Sequence, residues 1–319
     1  MSAFMISTPT SIEQARVLLL AATPPNESFT QLSNFSEEKI DRALRLKFRR
    51  PAWVWFATDR DGAVLGVVAG WGAAARTTAD ILDFLDLPED PEIAHALLER
   101  AVADSSEAGR HSFEVIHFLP SESHLDDPPL ANVIATLAAS GFRMLVRRHR
   151  YRLPVLTTDI TIPDTALTFE VITGPDDPRL LQVMREILVG SLDAHDIDAL
   201  SKGDLDTVAA ETVTEFVGYD PADSFFLAID PEGAVVGLVV GGLRGSPEIG
   251  VASFIGVSHL HRGQGYAAQL LGWITARVIG DHAQFVIGET DDDNFPMAAA
   301  FTRVGYPHTE SRIDFVREL

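Results

Sequence analysis

Hydrophobic residues recur along this chain at two spacings, and each spacing predicts a different kind of element. In the second half, Ala267, Leu270, Leu271, Ile274 and Val278 lie three or four residues apart, the period of one face of an α-helix. The segment SFIG and the VS that follows it, just before this helix, predict a strand. Nowhere does an apolar run approach the roughly eighteen residues that span a bilayer. We therefore expect an α+β protein with no membrane contact.

Two strand patterns occur twice. The segment WFATDRDGAVLGVVAG from Trp55 and the segment FLAIDPEGAVVGLVVG from Phe226 are identical at eight of sixteen positions, and each predicts a hairpin. Further on, SGFRMLVRRHRYRL from Ser140 and VGYPHTESRIDFV from Val304 each follow a helical stretch. Two copies of one α+β unit explain both pairs. We place the boundary in TTDITIPDTAL and expect domains at 1–158 and 159–319.

The predicted strand and helix of the second copy are joined by R-G-Q-G-Y-A, residues Arg262–Ala267. The first backbone N–H groups of a helix have no partner within it, so a glycine-lined turn at this point suits an anion. The first copy has Glu89–Glu92, including a proline, at the matching positions. Acidic side chains repel an anion and proline has no N–H, so we expect the first copy to lack this function.

Composition and net charge indicate which classes of binding partner to expect. The net charge is −21, with −4 on residues 1–158 and −17 on residues 159–319. We expect no nucleic acid as a partner, because phosphate binding needs a basic surface that the second half lacks. The acidic half either serves solubility or attracts a cationic small molecule. The chain has no cysteine, which excludes disulfides and a cysteine nucleophile. With no targeting signal, we expect a cytoplasmic protein, monomeric or homodimeric.

Gly263, Gly265 and Ala268 also satisfy the dinucleotide fingerprint G-x-G-x-x-A, but too few residues follow to complete a Rossmann domain. The segment VSHLHRGQGYA from Val257 instead resembles motif A of the GNAT N-acetyltransferases, [R/Q]-x-x-G-x-[G/A]. The segment TDDDNFPMAAAFTRVGY, which contains Asn294, is similar to that family's helix after its fifth strand. The resemblance covers the second half strongly and the first half weakly, through the repeat.

The resemblance implies two GNAT-like domains, the first of them degenerate. Each would be a mixed, mostly antiparallel sheet flanked by helices and splayed between strands 4 and 5. It also implies acetyl-CoA as co-substrate, with pantetheine along strand 4 and diphosphate on the turn. The implied cofactor-binding residues are Ile255, Gly256, Val257, Arg262, Gly263, Gln264, Gly265, Tyr266, Ala267, Asn294 and Phe301. Asn294 can equally be a helix N-cap.

Catalytic candidates lie in SLDAHD, which matches the segment that lines the acceptor site in this family, and at the end of the fifth strand of the second copy. They are Asp193, His195, Asp196 and Asp291. These side chains could bind a cationic amine and accept its proton. Alternatively, Asp193 or Asp196 could cap a helix. Phe301 stands where many members have an acidic tyrosine, and Val251 where many have a glutamate, with Glu248 as a reserve base. His259 and His261 have no third ligand in view, so we expect no metal.

The sequence thus predicts an acetyl-CoA-dependent N-acetyltransferase that acts on a small, cationic amine by direct attack. Two alternatives remain open at this point. A non-catalytic CoA-binding module would explain Phe301 and Val251, and acetylation of a protein lysine would look the same from the sequence.

Overall fold

The computed structural model describes residues 4–22, 36–106, 112–172, 176–219, 222–244 and 247–319. The chain divides into two compact units. The first unit contains Met1–Arg147 together with Glu310–Leu319, and the second contains Arg148–Thr309. These limits differ from the domains 1–158 and 159–319 that the repeat predicts. The difference arises because residues 148–158 of the first half belong to the second unit and residues 310–319 of the second half belong to the first.

The first unit has its apolar core between a sheet and its helices. Its strands from the first repeat are β1 (Phe4–Ser7), β2 (Val54–Asp59), β3 (Val64–Trp71), β4 (Ile81–Asp86) and β5 (Ser112–Pro120). Its helices are α1 (Ile12–Ala21), α2 (Glu37–Arg45), α3 (Pro91–Ser105) and α4 (Pro128–Ala139). The repeated hairpin is β2–β3, as its D-x-x-G turn predicts.

The second unit has the same arrangement. Its strands are β6 (Arg143–Pro154, from Arg148 onward), β7 (Thr168–Val171), β8 (Phe225–Ile229), β9 (Val235–Leu243), β10 (Ile249–Val257) and β11 (Phe285–Asp291). Its helices are α5 (Pro178–Leu188), α6 (Ala194–Lys202), α7 (Leu205–Tyr219), α8 (Tyr266–Gly280) and α9 (Phe295–Val304). The strand order is β6-β11-β10-β9-β8-β7.

The last strands of the two repeats have been exchanged. Strand β6 ends the first repeat in the sequence, yet from Arg148 it pairs with β11 of the second unit. The final strand, β12 (His308–Glu318), pairs with β5 in the first unit from Glu310 onward. Each unit therefore completes its sheet with a strand encoded in the other half of the chain.

The sheets are mixed and open where the resemblance predicts. In the second unit the parallel ladder joins residues 249–251 of β10 to residues 285–287 of β11 and then stops, although both strands continue. In the first unit the parallel ladder between β4 and β5 joins Ile81 and Leu82 to residues 114–115. The other strand pairs described within each unit are antiparallel. The predicted splayed α+β fold is confirmed.

Helices cover both faces of the second sheet. Along β8, Phe226 and Ala228 belong to the apolar cluster beneath α8 and α9, whereas Phe225 and Leu227 belong to the cluster beneath α5 and α7. Helix α5 packs so closely on β10 that a Cβ on Gly256 would lie 2.6 Å from the Ile187 side chain. This contact brings the C-terminal end of α5 next to the open edge of β10.

Candidate active site

The glycine-lined turn leads directly into α8. After β10 ends at Val257, a short 3-10 turn (His259–His261) leads to Gly263 and Gly265, whose φ angles are +81° and +78°. Such left-handed backbone favours glycine, because a side chain there costs about 1–2 kcal/mol. Gly265 is the N-cap of α8 and no side chain caps this end. The first backbone N–H groups of α8 therefore have no capping side chain.

The corresponding helix of the first unit is closed to an anion. Asp90 is the N-cap of α3, and its carboxylate accepts a hydrogen bond from the Glu92 N–H at 2.9 Å. Pro91 supplies no N–H at the same end. A negative side chain thus occupies the position that is open before α8.

Arg262 has a structural role that its motif does not reveal. Its guanidinium donates hydrogen bonds to the carbonyl oxygens of Ile187, Val189 and Gly190, at 2.6, 2.9 and 2.7 Å. These are the free carbonyls at the C-terminal end of α5 and just beyond it, where a cation is favourable. Arg262 therefore fixes the segment that leads into α6.

A cavity of about 650 Å³ extends from the turn to the start of α6. It passes along β10, where a register irregularity between Ala252 and Phe254 interrupts the ladder with β9. Its wall includes Asp193, Asp196, Ile255, Gly256, Val257, Arg262, Gly263, Gly265, Tyr266, Ala267, Asn294 and Phe301 from the predicted set. Among the predicted residues, Gln264, His195 and Asp291 do not line it.

At its far end the cavity reaches a cluster of carboxylates around Arg148. Arg148 donates from Nη2 to Asp193 Oδ2 at 2.9 Å, and its Nε lies 3.0 Å from Asp291 Oδ1. The Asp291 side chain is fully buried and accepts a hydrogen bond from the Ala194 N–H at 2.6 Å. Asp193 is also the N-cap of α6, bonded to the His195 N–H at 2.9 Å.

The carboxylates of this cluster differ in acidity. Burial and, after it, the charge of Asp193 raise the pKa of Asp196 to about 6. The same two causes raise the pKa of Asp291 to about 6. Burial alone would raise the pKa of Asp193, but the adjacent His195 imidazole and the charge of Arg148 outweigh burial and hold this pKa below its usual range. Asp196 accepts a hydrogen bond from the Ser191 hydroxyl at 2.6 Å.

Asn294 and Phe301 form the wall opposite α6. The Asn294 side chain accepts a hydrogen bond from the Met297 N–H at 3.2 Å, so it caps α9 while it lines the cavity. The Phe301 ring is buried and stacks on Tyr151, with 4.1 Å between ring centroids. No hydroxyl is therefore available from residue 301.

Sequence reasoning missed Arg148 and Arg303, which both line the cavity. Arg148 lay in a run of arginines assigned to the first repeat, so nothing in the second repeat pointed to it. Glu248, the reserve base, lies outside the cavity wall. Within the described ranges, no group of three His, Asp or Glu side chains is arranged to hold a metal ion. In those ranges we also find no helix with the length and hydropathy of a membrane span.

Comparison with known proteins supports the predicted family. Residues 193–306 match the acetyltransferase (GNAT) family. A GCN5-related N-acetyltransferase from Sphaerobacter thermophilus superposes with a TM-score of 0.62 at 14% identity, over 100% of this chain and 96% of that one. A tandem GNAT protein from the clavulanic acid biosynthesis pathway gives 0.55 at 18% identity, over 99% and 98%. A GCN5-related N-acetyltransferase from Kribbella flavida gives 0.52 at 14% identity, over 93% and 96%.

At these identities the solved structures support the fold, whereas the family match rests on the sequence itself. That match begins at Asp193 and ends at Tyr306, so it includes the glycine-lined turn, the open edge of β10 and most of the cavity wall. Residues 193–306 of the second unit are thus similar to the acetyltransferase (GNAT) family, and the chain shares its fold with solved GNAT proteins.

Proposed function

We propose that this enzyme transfers the acetyl group of acetyl-CoA to a small, cationic amine, and that the second unit carries the site. The observation that carries the proposal is one cavity with the glycine-lined turn before α8 at one end and carboxylates at the other. Acetyl-CoA is an anionic nucleotide with a long amide-containing arm, and a cationic amine is its complement in charge. The two ends of the cavity match these two molecules.

The anion-binding end fits a diphosphate. The N–H groups of Arg262–Ala267 would hold the phosphate oxygens, aided by the dipole of α8, which contributes about 0.3–1 kcal/mol. A Cβ placed on Gly263 would meet no atom within 4 Å, so there is open space beside this backbone. Arg303 lines the same end and adds a positive charge. The acidic cap of α3 makes the first unit unsuitable for the same ligand.

The middle of the cavity fits the amide-containing arm. Beyond Val251, β10 has no ladder with β11, so this edge of its backbone faces the cavity near Ile255–Val257. An extended chain with amides can pair with such an edge as an added strand does. The thioester carbonyl would then lie near the carboxylate cluster, where a backbone N–H of β10 could polarise it.

The acidic end fits the amine. The guanidinium of Arg148 pairs with Asp193 and Asp291, and Asp196 adds a third carboxylate at this end, so negative charge exceeds positive charge among these four side chains. The carboxylate that lines the cavity with a pKa of about 6 is Asp196, and a base with such a pKa suits proton transfer near neutral pH. We assign to Asp196 the binding of the ammonium and the removal of its proton. The neutral amine then attacks the thioester carbonyl directly, since the chain has no cysteine to carry the acetyl group. The C–N bond forms as the C–S bond breaks, and CoA leaves as a thiolate that takes up the proton lost by the nitrogen.

Calorimetric titration with acetyl-CoA tests the first part of the proposal. We expect one site per chain, which Gly265→Glu abolishes by placing a carboxylate at the N-terminus of α8. The matched control is Gly233→Glu. Gly233 has a φ of +86° in a hairpin turn and open space around it, so the backbone strain and charge change are alike. Two equal sites, no site, or equal losses in both variants would refute the assignment.

Thiol release from acetyl-CoA in the presence of polyamines, aminoglycosides and amino acids tests the second part. We expect turnover with cationic amines that carry no carboxylate near the reacting nitrogen. A preference for anionic acceptors would refute the role given to the acidic end.

A further inference from the structure

Arg148 belongs to the first repeat in the sequence but lies in the second unit of the structure. In β6 it stands opposite Asp291 of β11, and its side chain is only 16% exposed. The sequence assigns this residue to the first half of the chain, yet its contacts are with α6 and β11 of the second unit. Its guanidinium lies 2.9 Å from the carboxylate of Asp193, which lines the acidic end of the cavity.

The contacts of Arg148 fix the start of α6. Its guanidinium bridges Asp193, the N-cap of this helix, and Asp291 at the end of β11. Asp291 in turn accepts the Ala194 N–H, so the first turn of α6 is tied to β11 twice. Asp196 belongs to that first turn, and its direction into the cavity depends on these ties.

The same contacts set the charge near the amine. Arg148 neutralises part of the Asp193 and Asp291 charge, whereas Asp196 contacts the Ser191 hydroxyl. The other charged or titratable groups nearby are His195, whose Nδ1 lies 3.6 Å from Asp193, and Glu289, which is paired with Arg150 at 2.9 Å. Without Arg148, the carboxylates of Asp193, Asp196 and Asp291 would face one another with no guanidinium between them.

We propose that Arg148, supplied by the last strand of the first repeat, is a positioning residue for acetyl transfer that holds α6 against β11 and leaves Asp196 as the carboxylate available to the amine. The inference rests on the proposed function of the acidic end. It gives the first half of the chain a part in the reaction: the strand that it contributes carries the residue that organises the acceptor site.

The test compares Arg148→Met, which removes charge and hydrogen bonds, with Arg148→Lys, which keeps the charge but loses the planar fork. The matched control is Arg143→Met, the same charge change at an exposed arginine on the same strand. In a plot of kcat/KM for the amine against pH, the acidic limb is the fall in kcat/KM at low pH as the base takes up a proton. We expect Arg148→Met to move this limb to higher pH by about one unit or more, because an adjacent arginine lowers carboxyl pKa values by about 1–3 units. Calorimetric affinity for acetyl-CoA should stay close to that of the wild type.

Arg148→Lys should leave the acidic limb in place but lower kcat/KM by about tenfold or more through loss of geometry. Arg143→Met should change neither quantity. The proposal is overturned if folded Arg148→Met keeps the wild-type acidic limb, or if Arg148→Lys shifts that limb as far as Arg148→Met does.

A second measurement does not depend on turnover. Carbon-13 NMR titration of the aspartate carboxyl groups, assigned with single Asp→Asn variants of Asp193, Asp196 and Asp291, should show their pKa values rising in Arg148→Met and unchanged in Arg143→Met. Carboxyl titrations that do not move would refute the inference. If the wild-type enzyme acetylated no amine in the panel, the proposed function would fail while this titration still decided the role of Arg148.

Discussion

Asp196→Asn is the most direct test of the acidic end of the cavity. The change removes the charge and the proton-accepting oxygen but keeps a side chain of the same shape, which can still bond to the Ser191 hydroxyl. Removal of a general base lowers rates by about 10²–10⁴-fold, so we expect a loss of that size in kcat/KM for the amine. Binding of acetyl-CoA should not change, because its phosphate groups would lie at the other end.

The dependence of kcat/KM on pH gives a second quantitative prediction for Asp196. With a pKa of about 6 for Asp196, only about a tenth of the carboxyl groups are ionised at pH 5, so kcat/KM of the wild type should fall about tenfold below its plateau there. Asp196→Asn should lose this limb. The amine's own ionisation adds a limb at higher pH that is common to every variant, so comparison between variants removes it.

Asp198→Asn is the matched control on the same helix. The Asp198 carboxylate accepts a hydrogen bond from Lys202 at 2.8 Å, and its side chain does not line the cavity. This variant should keep both the rate and the acidic limb, measured by thiol release between pH 5 and pH 9. If Asp196→Asn stayed within about threefold of the control and kept its limb, Asp196 would not be the base.

Three further predictions concern stability. Arg262→Ala should lower the free energy of unfolding by about 1–3 kcal/mol and speed amide hydrogen exchange in residues 187–193, because it leaves their carbonyls without the guanidinium. Gly288→Ala should cost about 1–3 kcal/mol in urea unfolding, since its Cβ would lie 2.7 Å from the Phe301 ring, and the cost should shrink in a Phe301→Leu background. The raised pKa of Asp196 means that the folded state holds a proton more tightly than the unfolded state between about pH 4 and pH 6, so its charge opposes folding at pH 7. Asp196→Asn should therefore be more stable than the wild type at pH 7, and thermal melts should show the gap closing towards pH 4.

The turn, the helix starts and the hairpin could be predicted from the sequence, because each depends on the backbone preferences and spacing of residues that are close together in the chain. A glycine pair before an apolar helical stripe permits left-handed backbone, and Gly263 and Gly265 adopt it. The acidic residues of the first repeat that we expected to repel an anion include Asp90, which the structure shows to be the N-cap of α3. The repeated hairpin and the helices near Ala131–Ala139 and Asn294–Thr302 follow from periodicity and turn residues within short windows.

Contacts between distant residues could not be predicted in the same way. The motif indicates that Arg262 belongs to the turn, but only the packing of α5 on Gly256 brings the carbonyls of Ile187 and Gly190 within reach of its guanidinium. Likewise, SLDAHD identifies a polar segment without showing that Asp193 is bound to an arginine from the other half of the chain. A side chain's partners depend on which strands pair, and strand pairing is a property of the whole chain.

The exchanged strands show why the repeat boundary is a poor guide to the functional unit. A segment cut at the predicted boundary, 159–319, would contain Asp193, Asp196 and Asp291 but would lack β6. Strand β11 would then lose its antiparallel partner, and unpaired edges are costly and prone to association. Its buried carboxylate would also lose Arg148, and a buried charge without its partner destabilises a fold by several kcal/mol, about 3–5 in measured cases. The first repeat has an acidic, proline-containing helix start where the second has its glycine-lined turn. The chain nevertheless depends on the first repeat, because the strand that it supplies completes both the sheet and the charge balance of the carboxylate cluster.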